Sequence, residues 1–251
     1  MTVTVGVSLK MYFGYERARE WFAQVADVAR ANEAVSNGDV ELFIIPSFVS
    51  IPAAVDAFAG TPVAVGAQDL FWEDDGAYTG EVSGAELAEA GVTVAEVGHA
   101  ERRRIFAETE AIVAAKTAAS LRNGITPVLC IGELKRQPAD SAALEVVGQL
   151  VSALNDAPAG KIIVAYEPVW AIGADEPADA EHIRIVCRWL RSAVAKLEGR
   201  EGSSVIYGGS AGPGLLTELG SDVDGLFLGR FAHDTASLAQ VLDEAAKVAA
   251  A

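Results

Sequence analysis

The sequence predicts an α/β fold, a single closed (β/α)8 barrel, from three observations. Eight short β-branched runs recur along the chain, amphipathic helical segments lie between them, and the length suits one such barrel. The chain has 251 residues, and about 250 is typical of that architecture. Two small domains would fit the same length, so the rhythm of the elements carries the argument.

The eight runs are Val3–Ser8, Val40–Ile45, 62–67, 92–97, 125–131, 161–166, Ser204–Tyr207 and Gly225–Leu228. Each reads as a nearly continuous apolar stretch, as strands buried on both faces do. Helical patterns at 16–31, 108–122, 142–154 and 180–197 fall between them. Strands alternating with helices imply parallel βαβ units. Eight such units fit a closed barrel, and a doubly wound sheet is the rival arrangement. Gln137-Pro138-Ala139-Asp140 and Asp175-Glu176-Pro177 read as surface turns. The Ala-rich stretch from Ala245 to Ala251 reads as the end of the last helix, and no Ser/Gly/Pro tract divides the chain into domains.

Composition excludes several classes. Apolar residues make up 51% of the chain, enough for a sizeable core, yet no apolar run approaches the roughly 18 residues that cross a bilayer. The first residues lack the basic and apolar regions of a signal peptide, so a cytoplasmic location is expected. Cys130 and Cys187 are too few for a disulfide framework or a Cys-rich metal site. Nineteen basic against thirty-five acidic residues give a net charge of −16. Such a chain repels nucleic acid and anionic membrane, and neither is expected as a partner. It also repels an anionic substrate unless the site itself is locally positive.

In a barrel of this kind the active site lies at the C-terminal ends of the strands. Ser8-Leu9-Lys10 follows the first strand, Gly98-His99-Ala100-Glu101 the fourth and Glu167-Pro168 the sixth. Gly208-Gly209-Ser210 follows the seventh and Gly229-Arg230 the eighth. A cation, an imidazole, a carboxylate and two glycine turns thus converge on one rim. That set suits proton abstraction beside a carbonyl on an anionic substrate. Glycine turns let backbone N–H groups approach a phosphate closely, although one such turn alone is most often only a turn.

Val97-Gly98-His99-Ala100-Glu101-Arg102-Arg103 resembles the catalytic-histidine segment of the triosephosphate isomerase family. The run from Ala165 through Glu167, Pro168 and Trp170 to Gly173 resembles that family's catalytic glutamate and lid, and Tyr207-Gly208-Gly209-Ser210 its phosphate turn. Cys130-Ile131-Gly132-Glu133 and Gly66-Ala67-Gln68 match further family segments, in order along nearly the whole chain. The resemblance implies a TIM barrel in which Glu167 is the base, a neutral His99 the electrophile and Lys10 the fixed positive charge. It implies that Gly173, Ser210, Gly229 and Arg230 hold the phosphate, with Ser8 beside the substrate and Glu101 and Ala100 supporting the catalytic groups. It also implies a lid from Pro168 to Gly173 that excludes water. No cofactor is expected, and no metal, since the proton moves between adjacent carbons through an enediolate. A homodimer is implied through the loop from Gln68 to Val82, with Thr79 reaching toward the partner's site.

Three positions depart from the common pattern of the family. Ser8 stands where an asparagine is expected, Ala100 where a serine is expected and Arg230 where a second glycine is expected. The loop from Ala174 to Pro177 also differs. Ser8 and the run Asp224-Gly225-Leu226-Phe227-Leu228-Gly229-Arg230 resemble a paralogous branch, the L-erythrulose 1-phosphate isomerases of tetritol catabolism. The resemblance therefore implies a small phosphorylated ketose as substrate, with the L-erythrulose 1-phosphate / D-erythrulose 4-phosphate pair preferred. An authentic triosephosphate isomerase, and a catalytically silent sugar-phosphate-binding barrel, are the alternative readings.

Overall fold

The computed structural model describes residues 2–174 and 177–251. Met1 lies outside the described residues, as do Asp175 and Glu176 of one expected surface turn. Eight strands form a closed parallel barrel in sequence order: β1 (Val3–Ser8), β2 (Val40–Ile45), β3 (Ala64–Ala67), β4 (Val94–Val97), β5 (Thr126–Ile131), β6 (Ile163–Tyr166), β7 (Ser204–Tyr207) and β8 (Gly225–Leu228). The last strand closes on the first, with Val5 facing Leu226 and Val7 facing Leu228. The doubly wound alternative is thereby excluded.

The helices are α1 (Tyr15–Ala31), α2 (Glu33–Asn37), α3 (Ile51–Phe58), α4 (Gly84–Glu89), α5 (Ala100–Phe106), α6 (Glu110–Arg122), α7 (Ala139–Ala153), α8 (Ala180–Val194), α9 (Leu215–Leu219) and α10 (Thr235–Ala250). Several boundaries differ from the sequence expectation by two or three residues, for local reasons. The helix expected from residue 108 begins at Glu110, because the Thr109 side chain accepts from the N–H of Ile112 and caps it. The strand expected from residue 92 begins at Val94, because the N–H of Val92 is taken by Leu87 at the end of α4. The short helices α2, α4, α5 and α9 carry too few turns to show a periodic apolar face.

Side chains alternate across each strand. Val3, Val5 and Val7 point outward under the helices, as do Ala95 and Val97 of β4. Phe43, Ile45, Val94, Val128, Ile163, Ile206 and Phe227 point inward and fill the barrel. The fit around the axis is close: a Cβ on Gly6 would stand 2.0 Å from the Phe43 ring. At the lower end Thr4 Oγ1 donates to Ser204 Oγ across the barrel, at 3.3 Å. Packing thus occupies the middle and bottom and leaves the C-terminal ends of the strands open. Among the described residues no helix is long and apolar enough to cross a membrane.

Candidate active site

A cavity of about 1060 Å3 opens at the C-terminal rim. Ser8, Lys10, Ala100, Glu101, Glu167, Gly173, Ser210, Gly229 and Arg230, each singled out from the sequence, all line it. His99 stands behind that wall, 3% exposed. The structure therefore brings together every site residue that the sequence pointed to.

Glu167 is the first residue after β6, and the pleat turns its side chain inward. Its Oε2 lies 3.7 Å from His99 Nε2 and has no hydrogen-bond partner. Two glycines make room for it. A Cβ on Gly132 would meet the Glu167 carbonyl oxygen at 1.9 Å, and one on Gly208 would meet its Cγ and Oε1 at 2.8 Å. The carboxylate thus sits in a slot with one buried, unpaired oxygen beside the imidazole.

His99 caps α5, and its Nδ1 accepts from the N–H of Glu101 at 3.1 Å. An acceptor nitrogen carries no proton, so Nε2 is the donor of the neutral ring. That donor is aimed into the site and has no partner there.

Lys10 has φ 46, a left-handed conformation uncommon for a side-chain-bearing residue. Gln68 Nε2 donates to the Lys10 carbonyl at 2.9 Å and ties this turn to the end of β3. Lys10 Nζ donates to Glu101 Oε1, also at 2.9 Å. Burial opposes the Lys10 charge, but the Glu101 hydrogen bond and the fields of Glu167, Glu101 and Glu96 outweigh it and hold the ammonium above its ordinary range. Glu101 is held below the usual carboxylate range: burial works against its charge, and the hydrogen bond and charge of Lys10 prevail. The site therefore keeps a cation inside a strongly acidic protein.

Across the cavity, Ser210 is also left-handed, at φ 52. Its hydroxyl donates to the carbonyl of Ala174 at 2.7 Å, joining the β7 turn to the end of the lid. The near end of the lid is fixed elsewhere. Trp170 Nε1 donates to Glu133 Oε1 at 2.8 Å, the N–H of Val169 donates to the Glu133 carbonyl, and the Tyr166 hydroxyl donates to the same fully buried carboxylate. Arg230 reaches over the lid end, its Nη2 lying 3.9 Å from where a Gly173 Cβ would stand.

Two polar groups, one at the site and one below it, carried no clear mark in the sequence. Glu96 is 3% exposed inside the barrel, accepts from Ser8 Oγ at 2.8 Å and lies 4.0 Å from His99 Nε2. The available signal was an acid in an apolar strand, two residues from inward-facing Val94 and three before His99. The second is a buried ion cluster under α5: Lys116 pairs with Asp69 and Glu108 at 2.6 Å, and Arg102 pairs with the same two acids. Cys130 is buried beside Glu167; burial and the charges of Glu167 and Glu96 push its thiol far up, so it remains protonated.

The geometry brings a buried carboxylate, an imidazole 3.7 Å from it, a lysine ammonium and the turns after β7 and β8 to one cavity. The family model described as triosephosphate isomerase matches residues 3–245. A protein of Pectobacterium atrosepticum named L-erythrulose-1-phosphate isomerase is 49% identical over 97% of this chain and 95% of its own length. The triosephosphate isomerase of Moorella thermoacetica is 38% identical over 93% of this chain and 95% of its own. The crystal structure of triosephosphate isomerase from Bartonella henselae superposes with a TM-score of 0.82 at 27% identity, over 97% of this chain and 99% of that one.

Proposed function

The chain belongs to the triosephosphate isomerase family, and on that premise we propose that this isomerase prefers L-erythrulose 1-phosphate, converting it to D-erythrulose 4-phosphate. One observation carries the reading. The cavity wall beside Glu167 and His99 is built from the small side chains of Ser8 and Ala100. The tetrulose phosphate is dihydroxyacetone phosphate with one more hydroxymethyl group on the carbon farthest from the phosphate. A wall of small residues at that point gives the group room, and the chemistry need not change. The 49% identical relative named for this activity supports the same reading.

In the proposed cycle Glu167 removes the proton from the carbon bearing the extra group. His99 Nε2–H donates to the former carbonyl oxygen and the ring takes the hydroxyl proton from the neighbouring oxygen in exchange, so the oxygen proton changes place, and Lys10 balances the charge that develops there. Glu167 then returns the proton to the neighbouring carbon, so the carbonyl moves one position along the chain. Gly173, Ser210, Gly229 and Arg230 hold the phosphate while the lid is closed. The cavity exceeds the needs of either sugar phosphate, so preference comes from the groups on its wall. A pocket that gains or loses one small group discriminates by about 1–3 kcal/mol, and turnover of the triose is expected alongside. The test is kcat/KM for L-erythrulose 1-phosphate and dihydroxyacetone phosphate on one preparation, with Glu167→Gln as the blank. A higher value for the triose overturns the preference.

The same reading includes a homodimer. Met11, Val49, Ile105 and Phe106 are 94%, 76%, 61% and 62% exposed. They follow β1, β2 and β4, and the loop from Gln68 to Val82 follows β3, so all belong to one contiguous half of the rim. That loop is closed at its base by Phe71 N–H donating to Val82 O and stiffened by Phe71 packed on Trp72 and Tyr78. In this reading the exposed apolar residues of that half meet a second copy of the chain. A light-scattering mass near that of one chain would refute the dimer.

A further inference from the structure

We propose that Glu96, together with Ser8, determines substrate specificity by taking the distal hydroxyl of the four-carbon substrate; this rests on the tetrulose phosphate reading above. Immediately below Glu96 the barrel interior is apolar. Val94 precedes Glu96 on the same face of β4, and Ile45, Val128, Ile163, Ile206 and Phe227 fill the neighbouring inward positions. A carboxyl group placed there loses its water and gains little from packing. Ser8 offers it one hydrogen bond, to Oε2. Its Oε1 stands 4.0 Å from His99 Nε2, beyond hydrogen-bond reach, and His99 Nε2 is itself without a partner. The structure thus holds a polar group against an apolar barrel with one of its two oxygens unused by its neighbours, immediately behind a cavity-lining serine.

The position of that group follows from the two fixed ends of the substrate. The phosphate lies toward the lid and the turns after β7 and β8. The reacting carbons lie between Glu167 and His99. The carbon beyond them therefore points away from the phosphate, toward the wall formed by β1 and β4, where Ser8 and Glu96 stand. The distal hydroxyl donates to Glu96 Oε1, while Ser8 keeps its bond to Oε2 and holds the carboxyl in place. Dihydroxyacetone phosphate has no substituent to reach this pair, so its binding leaves the pair as it is. A site built to hydrogen-bond a substrate hydroxyl discriminates far better than one that only makes space for it.

The test is the discrimination ratio, kcat/KM for L-erythrulose 1-phosphate over kcat/KM for dihydroxyacetone phosphate, in the wild type, Glu96→Met, Glu96→Gln and Ser8→Ala. Glu96→Met keeps the volume and removes the polar group. It is expected to lower the ratio by about ten- to a hundredfold, the worth of one hydrogen bond to a charged or strongly polar group. Glu96→Gln restores most of the ratio, and Ser8→Ala lowers it in the same direction by a smaller factor. If Glu96→Met does not fold, Ser8→Ala decides: an unchanged ratio overturns the assignment. A wild type that prefers the tetrulose phosphate, with a ratio unmoved by Glu96→Met, overturns this inference and leaves the proposed function standing. A wild type that prefers the triose phosphate overturns the proposed function, and this inference with it.

Discussion

The backbone N–H of Glu101 donates to Nδ1 of His99 at 3.1 Å, and this bond decides which nitrogen of the ring carries the proton. Nε2 is then a neutral donor facing Glu167 Oε2 at 3.7 Å. His99→Gln is expected to lower kcat by about 10²- to 10³-fold, the usual cost of losing one donor to a developing oxyanion. KM should change little, because the donor acts on charge that appears after binding. Nitrogen NMR on the resting enzyme should show Nδ1 unprotonated, and a protonated Nδ1 would refute the assignment.

Gly208 sets how far the base can retreat. A methyl group there would lie 2.8 Å from Glu167 Cγ and Oε1. The contact is with a side chain, so the barrel can tolerate it while the carboxylate moves. Gly208→Ala should therefore keep its melting temperature within a few degrees and lose kcat by about 10²-fold, as misplacement of a reacting group by about an ångström does. Thermal melts paired with kinetics check this, and a variant with wild-type kcat would show that the slot has slack.

The proposed catalytic trio was legible because its chemistry and its place coincide. Lys10, His99 and Glu167 are reactive residue types at strand ends, where apolar runs stop abruptly. Glu96 lacked that second mark. It lies inside a strand, and a single acid does not break an apolar run of six residues. Only the closed barrel reveals that its face is the inner one and that Ser8, 88 positions away in sequence, is its partner. The ion cluster under α5 was hidden for a similar reason. Asp69, Arg102, Glu108 and Lys116 come from two loops and two helices, and nothing in their spacing couples them before the fold is known.

That cluster leads to a stability prediction. Lys116 is 2% exposed and holds both Asp69 and Glu108. Removing its charge leaves two buried acids with only Arg102, which is partly exposed. Breaking a buried ion pair by deleting one partner costs about 3–5 kcal/mol. Lys116→Met should lower the melting temperature by roughly 6–20 °C for a domain of this size. Because Arg102 lies in α5, just after His99, activity measured well below the melt should also fall. A melt within about 2 °C of wild type would show that the cluster contributes little net stability.

Glu96 gives the chain a pH dependence whose sign is fixed. Burial raises its carboxyl above the ordinary value of 4.5; the charge of Glu167 adds to this, while His99, Ser8 and Lys10 pull the other way without cancelling it. The folded state therefore retains a proton through a pH range in which the unfolded chain has released it. Stability linked to Glu96 is fully present below the unfolded value and is lost as pH rises through the folded one. Glu96→Gln keeps the size of the side chain and cannot titrate. The melting temperature of Glu96→Gln minus that of the wild type should grow as pH rises above the ordinary carboxylate range. Asp69 and Asp224 are also raised by burial, but both are present in the two proteins and drop out of the difference. A difference that stays flat or shrinks toward alkaline pH would mean that Glu96 ionises in the barrel as freely as it does in water.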